Sequence, residues 1–161
     1  MAAFRHIENV VPGAKGLEGV VLRYGGLYGP GTGMMSSEVV ELLRKRRFPI
    51  IGDGSGVWSF IHVADAASAT VAALDHGAPG IYNIVDDDPA PASEWIPRLA
   101  ELIGAPPPRR MPLWLARILA GEVPVSMMTR MRGSSNAKAK RELGWRPRYA
   151  SWRQGFADGL G

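Results

Sequence analysis

Apolar residues in the first eleven positions fall at Phe4, Ile7, Val10 and Val11, the three- and four-residue spacing of one helical face, and Pro12-Gly13 stops that helix. The period then changes. Val20-Val21-Leu22 is a short continuous apolar run, as expected of a buried strand, and a glycine-rich loop follows it from Gly25 to Gly33. Helical spacing returns at Glu38–Leu43, with Ser36 or Ser37 placed to cap it and Arg44-Lys45-Arg46-Arg47 at its C-terminal end, where the helix dipole favours cations. Phe48–Ile51 reads as extended, Gly52–Gly56 as a turn, and Val57–Val63 as one strand. An alanine-rich helix from Asp65 to about His76 follows, with Asp65 as its N-cap; Ile81–Val85 is another strand. Trp95, Ile96, Leu99, Leu102 and Ile103 predict a helix closed by Gly104. Shorter helical pieces follow around Trp114–Leu119, Val125–Met131, Asn136–Leu143 and Trp152–Leu160. Alternating strands and helices that pass into an α-rich end predict an α/β chain with parallel pairing.

At 161 residues the chain is long enough for one domain with a core, divided here into an α/β part at 1–105 and an α-rich part at 106–161. It has no cysteine, which excludes disulfide frameworks and thiolate zinc sites and suits a reducing cytoplasm. No apolar run approaches the roughly 20 residues of a spanning helix, and Arg5, His6 and Glu8 interrupt what a signal peptide would need, so the expectation is a cytoplasmic protein without a membrane partner. The net charge of +4 is uneven: residues 1–105 hold 8 Lys/Arg against 12 Asp/Glu, residues 106–161 hold 11 against 3. The basic last third matches no nucleic-acid recognition signature, and no nucleic-acid partner is expected.

Two glycine patterns invite a phosphate reading. Gly13, Gly16 and Gly19 have the GxxGxxG spacing of a dinucleotide loop, but they join a helix to a strand, the reverse of the order in which strand, loop and helix N-terminus meet a pyrophosphate. The second, Gly25–Gly33, follows a strand but ends in no Gly-Lys-Ser/Thr.

In order along the chain, VVLRYGGLYGPGTG, GDGSGVWSFIHVADAASATVAAL, GIYNIVDDDP and RELGWRPRYASWRQGFADGL, behind an opening helix, resemble the C-terminal half of extended short-chain dehydrogenases, the NAD-dependent epimerase/dehydratase family. The resemblance implies the later part of a Rossmann-like parallel sheet with a small α-rich substrate-binding region. It implies cofactor contacts to the nicotinamide end from Tyr24, Gly25, Gly26 and Leu27, with glycines that let a ligand approach the backbone. It implies substrate contacts from Tyr28, Met34, Met35, Trp58 and His62, and NAD or NADP in the complete family protein.

Two departures bear on the substrate. Trp58 stands where many sugar-nucleotide members have an arginine, and Gly26 where they often have an asparagine, which favours a less charged ligand. A third departure bears on catalysis: no tyrosine has a lysine four residues later, so the family's Tyr-x-x-x-Lys pair is missing. No residue is therefore given a catalytic or metal-binding role, and the chain alone is expected to be inactive and not to hold a dinucleotide tightly. Its partners are expected to be a small-molecule substrate and a second copy, by dimerisation or strand exchange, because the first strands of the sheet are not encoded. The alternative is a non-catalytic module that docks an acidic partner through the basic last third.

Overall fold

The computed structural model describes residues 2–158; Met1 and the Gly159-Leu160 end of the last predicted helix lie outside the described residues. The chain begins with α1 (Ala2–Val10), a 3-10 turn at Val11–Gly13, β1 (Val20–Tyr24) and β2 (Gly26–Tyr28). After a second 3-10 turn at Gly33–Met35 come α2 (Ser37–Arg44), β3 (Ile50–Ile51), β4 (Val57–Trp58), β5 (Phe60–His62) and α3 (Val63–His76). Then follow β6 (Gly80–Ile84), β7 (Ala90–Pro91), α4 (Ala92–Leu102), β8 (Arg110–Met111), α5 (Leu113–Ala120), α6 (Glu122–Thr129), α7 (Ala137–Glu142) and α8 (Trp152–Asp158).

The sheet is built from short pairs. β1 runs parallel to β6 with Leu22 opposite Tyr82, β2 parallel to β5 with Leu27 opposite Ile61, and β3 parallel to β8. β4 and β7 are antiparallel. The chain changes partner at the glycines: Gly25 N–H still donates to the Ile84 carbonyl, whereas Gly26 N–H donates to that of Ser59. Asp86 N–H then donates to the Phe60 carbonyl at 2.7 Å, so the segment after β6 runs beside β5. A Cβ on Gly25 would lie 2.7 Å from the Ser59 oxygen, so only glycine permits this crossing.

Two apolar clusters hold the layers. One gathers Phe60, Trp95, Trp152 and Phe156 with Ile50, Ile96 and Leu99, its rings meeting edge-on or tilted at centroid separations of 5.2–6.0 Å, the geometry that aromatic quadrupoles favour. The other packs the alanine face of α3 (Ala66, Ala69, Ala73) and Leu143 and Trp145 against Ile61, Tyr82 and Ile84. Small side chains on α3 are what let a helix lie this close to a sheet.

Several sequence expectations need correction. Val57–Val63 is not one strand: it breaks at Ser59, and its halves join different sheets. Asp65 does not cap α3. His62 does, its Nδ1 accepting from Ala64 N–H at 3.1 Å, while Asp65 lies buried in the first helical turn and accepts from Arg148 and Tyr149 N–H, both at 2.9 Å. Of the two serines, Ser36 is the cap of α2. Gly13–Gly19 connects α1 to β1 as expected, and a Cβ on Gly19 would overlap the Val11 carbonyl.

Candidate functional site

The carboxyl ends of β1 and β6 open into a cleft of about 380 Å³. In open α/β sheets this end of the strands is where ligands bind. Arg23, Tyr24, Gly25 and Gly26 form one side, Asn83 and Val85 the floor, Trp58 and Ser59 the next edge. The opposite wall is Met127, Met131, Arg132 and Ser134, from the end of α6 and the loop after it.

That wall is fastened by a run of hydrogen bonds. Gly56 and Val57 N–H donate to the Met128 and Met131 carbonyls at 2.8 and 2.9 Å, and the Trp58 indole N–H donates to the Met127 carbonyl at 3.0 Å. Ser134 N–H donates to Ser59 Oγ at 2.8 Å, and the buried Asn136 amide donates to the Val85 carbonyl at 2.8 Å and to Asp87 Oδ1 at 2.7 Å. Gly56 makes the approach possible: a Cβ there would come within 2.5 Å of the Met127 oxygen. Tyr24 is held by its hydroxyl against Thr70 Oγ1 at 2.6 Å.

Of the nine residues expected at the site, the cleft brings together Tyr24, Gly25, Gly26 and Trp58. Leu27 is two-fifths exposed and does not line it. Met34 and Met35 pack partly buried against the aromatic cluster, as gap-fillers of the core. Tyr28 is fully buried, its ring edge-on to His62 and Phe156, at 5.3 and 5.1 Å, and overlying Gly155, where a Cβ would overlap the Tyr28 ring and hydroxyl. Burial, with the negative charges of Asp86 and Asp65 nearby, pushes the Tyr28 phenol well above its usual range. His62 is buried between Tyr28 and Tyr149, and its Nε2 side is closed by Gly29, where a Cβ would lie 2.6 Å away. Its one described side-chain bond is the helix cap. A Cβ at Gly25 or Gly29 would meet the Ser59 carbonyl or the His62 ring, so the protein's own packing already requires glycine at both positions.

The sequence reading missed the Met127–Ser134 wall. Its signal is Met127 near the end of a helical stretch and Met131 just beyond it, followed by Arg-Gly. Arg132 also sets the electrostatics, bringing a guanidinium to the cleft from the wall that faces Trp58. Arg132 has no ion-pair partner among the described residues, whereas Arg23 is held by Glu8 through two 2.6 Å bonds. That bonding holds the Glu8 carboxyl below its usual range.

The Gly25 and Gly26 amides that would face a phosphate are already bonded within the sheet, and Gly13–Gly19 lies at the amino end of β1, opposite the cleft and about 16 Å away at 3.3 Å per residue. Among the described residues β1 is followed by β2 and β6 by β7, so no helix begins directly at the carboxyl end of either strand.

A sheet ending in such a cleft, with helices on its faces, defines a Rossmann-like α/β fold. The profile of the NAD dependent epimerase/dehydratase family matches residues 2–85, and the chain belongs to that family. It is 44% identical over 155 residues to a 3-diazoavenalumate denitrifying reductase of a Streptomyces species, an alignment covering 96% of this chain and 51% of the relative. Among solved structures it superposes on a UDP-glucose 4-epimerase from Thermus thermophilus, in complex with NAD, with a TM-score of 0.68 and 27% identity, over 99% of this chain and 50% of that one. A conserved protein of unknown function from Silicibacter pomeroyi gives a TM-score of 0.69 and 30% identity, over 91% and 49%. The chain thus spans about half the length of each of these relatives.

Proposed function

We propose that the chain is the substrate-side half of an NAD(P)-dependent reductase, acting on a small, largely apolar or aromatic molecule that carries an anionic group. The observation that carries this reading is Arg132, without an ion partner among the described residues, facing a cleft walled by Trp58, Val85, Met127 and Met131. An indole and two thioethers offer polarisable contact to a flat apolar body, and a guanidinium fixes a carboxylate or phosphate at one end. The Streptomyces reductase, the more similar of the named relatives, supports reduction over epimerisation. Tyr24, Gly25 and Gly26, which line the cleft, are assigned to the nicotinamide end of the cofactor in the complete protein. The proton donor that must accompany hydride is not encoded here, and neither is a pyrophosphate loop, so the chain alone is inactive.

Docking of an acidic partner by the whole basic third has less support. Lys140 pairs with Asp87, and Arg153 with Asp88 and Glu94, so part of that charge neutralises acids of the first two-thirds.

Calorimetry on the purified chain tests the reading. Cinnamate is expected to bind with a dissociation constant near the millimolar level, about 4 kcal/mol, and its methyl ester more weakly. Arg132→Gln is expected to abolish that preference, about a tenfold effect for one charge-assisted contact. Equal binding of acid and ester, or a preference that survives Arg132→Gln, overturns the substrate class. A dissociation constant at or below roughly 10 μM for NAD or NADP would overturn the division of labour between the halves.

A further inference from the structure

We propose that the α5–α6 face, with the arginine pocket beside it, lies on the surface of an anionic lipid bilayer. The observation is a contiguous pairing of apolar and cationic side chains outside the cleft. On α5, Trp114, Ile118 and Leu119 are 64%, 74% and 66% exposed, and Val123 at the start of α6 is 70% exposed. Trp114 and Ile118 are four apart and share a face, so an indole and an isoleucine stand side by side in water.

Next to them is a pocket of about 340 Å³ lined by Arg46, Arg47, Arg109 and Arg110, with Met111 and Leu115 at its base and no acidic side chain in its lining. Leu115 belongs to α5, one residue from Trp114 and four from Leu119, so pocket and apolar face are continuous. The pocket is braced: Arg46 Nε donates to the Pro107 carbonyl at 3.1 Å, tying the end of α2 to the segment before β8. Arg46 is also the one non-glycine residue with positive φ (54°) among those described, so an arginine occupies a left-handed position where glycine would be less strained.

Charge complementarity selects the occupant. Arg47 and Arg109, with the outward ends of Arg46 and of Arg110, whose Nη1 donates to the Gly52 and Asp53 carbonyls, match the phosphates of an anionic bilayer. The tryptophan and aliphatic residues beside them match the interfacial region beneath the headgroups. None of the described helices is long and apolar enough to cross a membrane, so the mode is peripheral. The face packs beside β3, with Leu113 of α5 against Gly52, and the pocket takes in Arg110 and Met111 of β8.

Co-sedimentation with vesicles tests the proposal. The purified chain is expected to bind vesicles of phosphatidylcholine mixed with phosphatidylglycerol, to release with added salt, and to ignore phosphatidylcholine alone. Arg46→Glu with Arg109→Glu is expected to lower partitioning at least tenfold, since each basic residue near such a surface contributes roughly fivefold. Trp114→Ser with Ile118→Ser is expected to do the same by removing the apolar area that enters the interface. All four side chains are exposed, and thermal melts by circular dichroism check that both variants fold. Equal binding to neutral vesicles, or partitioning unchanged in either variant, overturns the proposal. So does a dimer that Trp114→Ser with Ile118→Ser dissolves, which assigns the face to a second copy. Arginine-dependent binding of polyglutamate without vesicle binding assigns it to an acidic protein and overturns the lipid assignment as well.

Discussion

Asp86→Asn is expected to stabilise the protein at pH 8 by about 4 kcal/mol and to leave it nearly unchanged at pH 4. Asp86 follows the end of β6, 2% exposed; one carboxylate oxygen accepts from Asp88 N–H at 3.3 Å, and the other has no partner among the described atoms. Burial pushes this carboxyl up to about 7, against the backbone N–H groups of Asp88 and Trp152 that pull it down, and with help from the charges of Asp88 and Asp87. The folded state therefore keeps a proton that the unfolded chain gives up near pH 4. Below that value the group is neutral in both states and no penalty exists. Between about pH 4 and 7 only the unfolded chain ionises, so stability falls as pH rises, and above 7 the full penalty is in place. About three pH units at 1.36 kcal/mol each give the figure of about 4 kcal/mol. An asparagine presents the same acceptor and a similar donor to the same spot as the protonated acid, which is why the two match at low pH. Urea unfolding followed by the fluorescence of the five tryptophans measures the difference. With m near 2 kcal/mol per molar, the midpoints separate by about 2 M at pH 8 and converge at pH 4. A gap between the two proteins that stays constant to within about 1 kcal/mol across that range would refute the reasoning.

Gly155→Ala in α8 would ordinarily stabilise a helix by up to about 1 kcal/mol; here the added methyl overlaps the Tyr28 ring, and a loss of roughly 2–3 kcal/mol in denaturant unfolding is expected instead. Asp65→Ala removes the buried carboxylate that two part-buried N–H groups donate to, so a loss of about 3–5 kcal/mol is expected, at about 1.5–3 for each bond to a charged acceptor, with the Arg148 and Tyr149 amides exchanging hydrogen faster than the rest of the core. Phe4, Ile7 and Val10 on α1 are half or more exposed and β1 pairs on one side only, so light scattering at tens of micromolar is expected to show self-association; a stable monomer there argues against it.

What was legible in the sequence followed the range of the interactions concerned. The alanine face of α3, the Gly104 stop (φ 65°) and the α1-to-β1 glycines rest on neighbours a few residues away, and periodicity or turn chemistry reveals them. Asp65 at the head of a helix has the chemistry of a cap, but its carboxylate is claimed by amides 83 and 84 residues downstream, a pairing no local pattern encodes. Ser59 sits in an alternating stretch that reads as one strand, yet the strand breaks there because its hydroxyl accepts from Ser134 and its carbonyl from Gly26. At the cleft, resemblance located Tyr24 and Trp58. Met34 and Met127 look alike in sequence, and only the packing decides that one fills the core and the other lines the wall.

The wall that closes the cleft has a consequence for the order of events during synthesis. Residues 23–26, 58–59 and 83–85 leave the ribosome first, and the segment from Met127 to Asn136 that zips onto them follows some forty residues later. At roughly 5–20 residues per second, that interval is about 2–9 s. The donors of Gly56, Val57 and Trp58 wait longer, roughly 70 residues or about 3–15 s at that rate, for the carbonyls that later receive them. The backbone N–H groups among them are a short sticky margin that a chaperone, or another nascent chain, meets before the protein's own tail does.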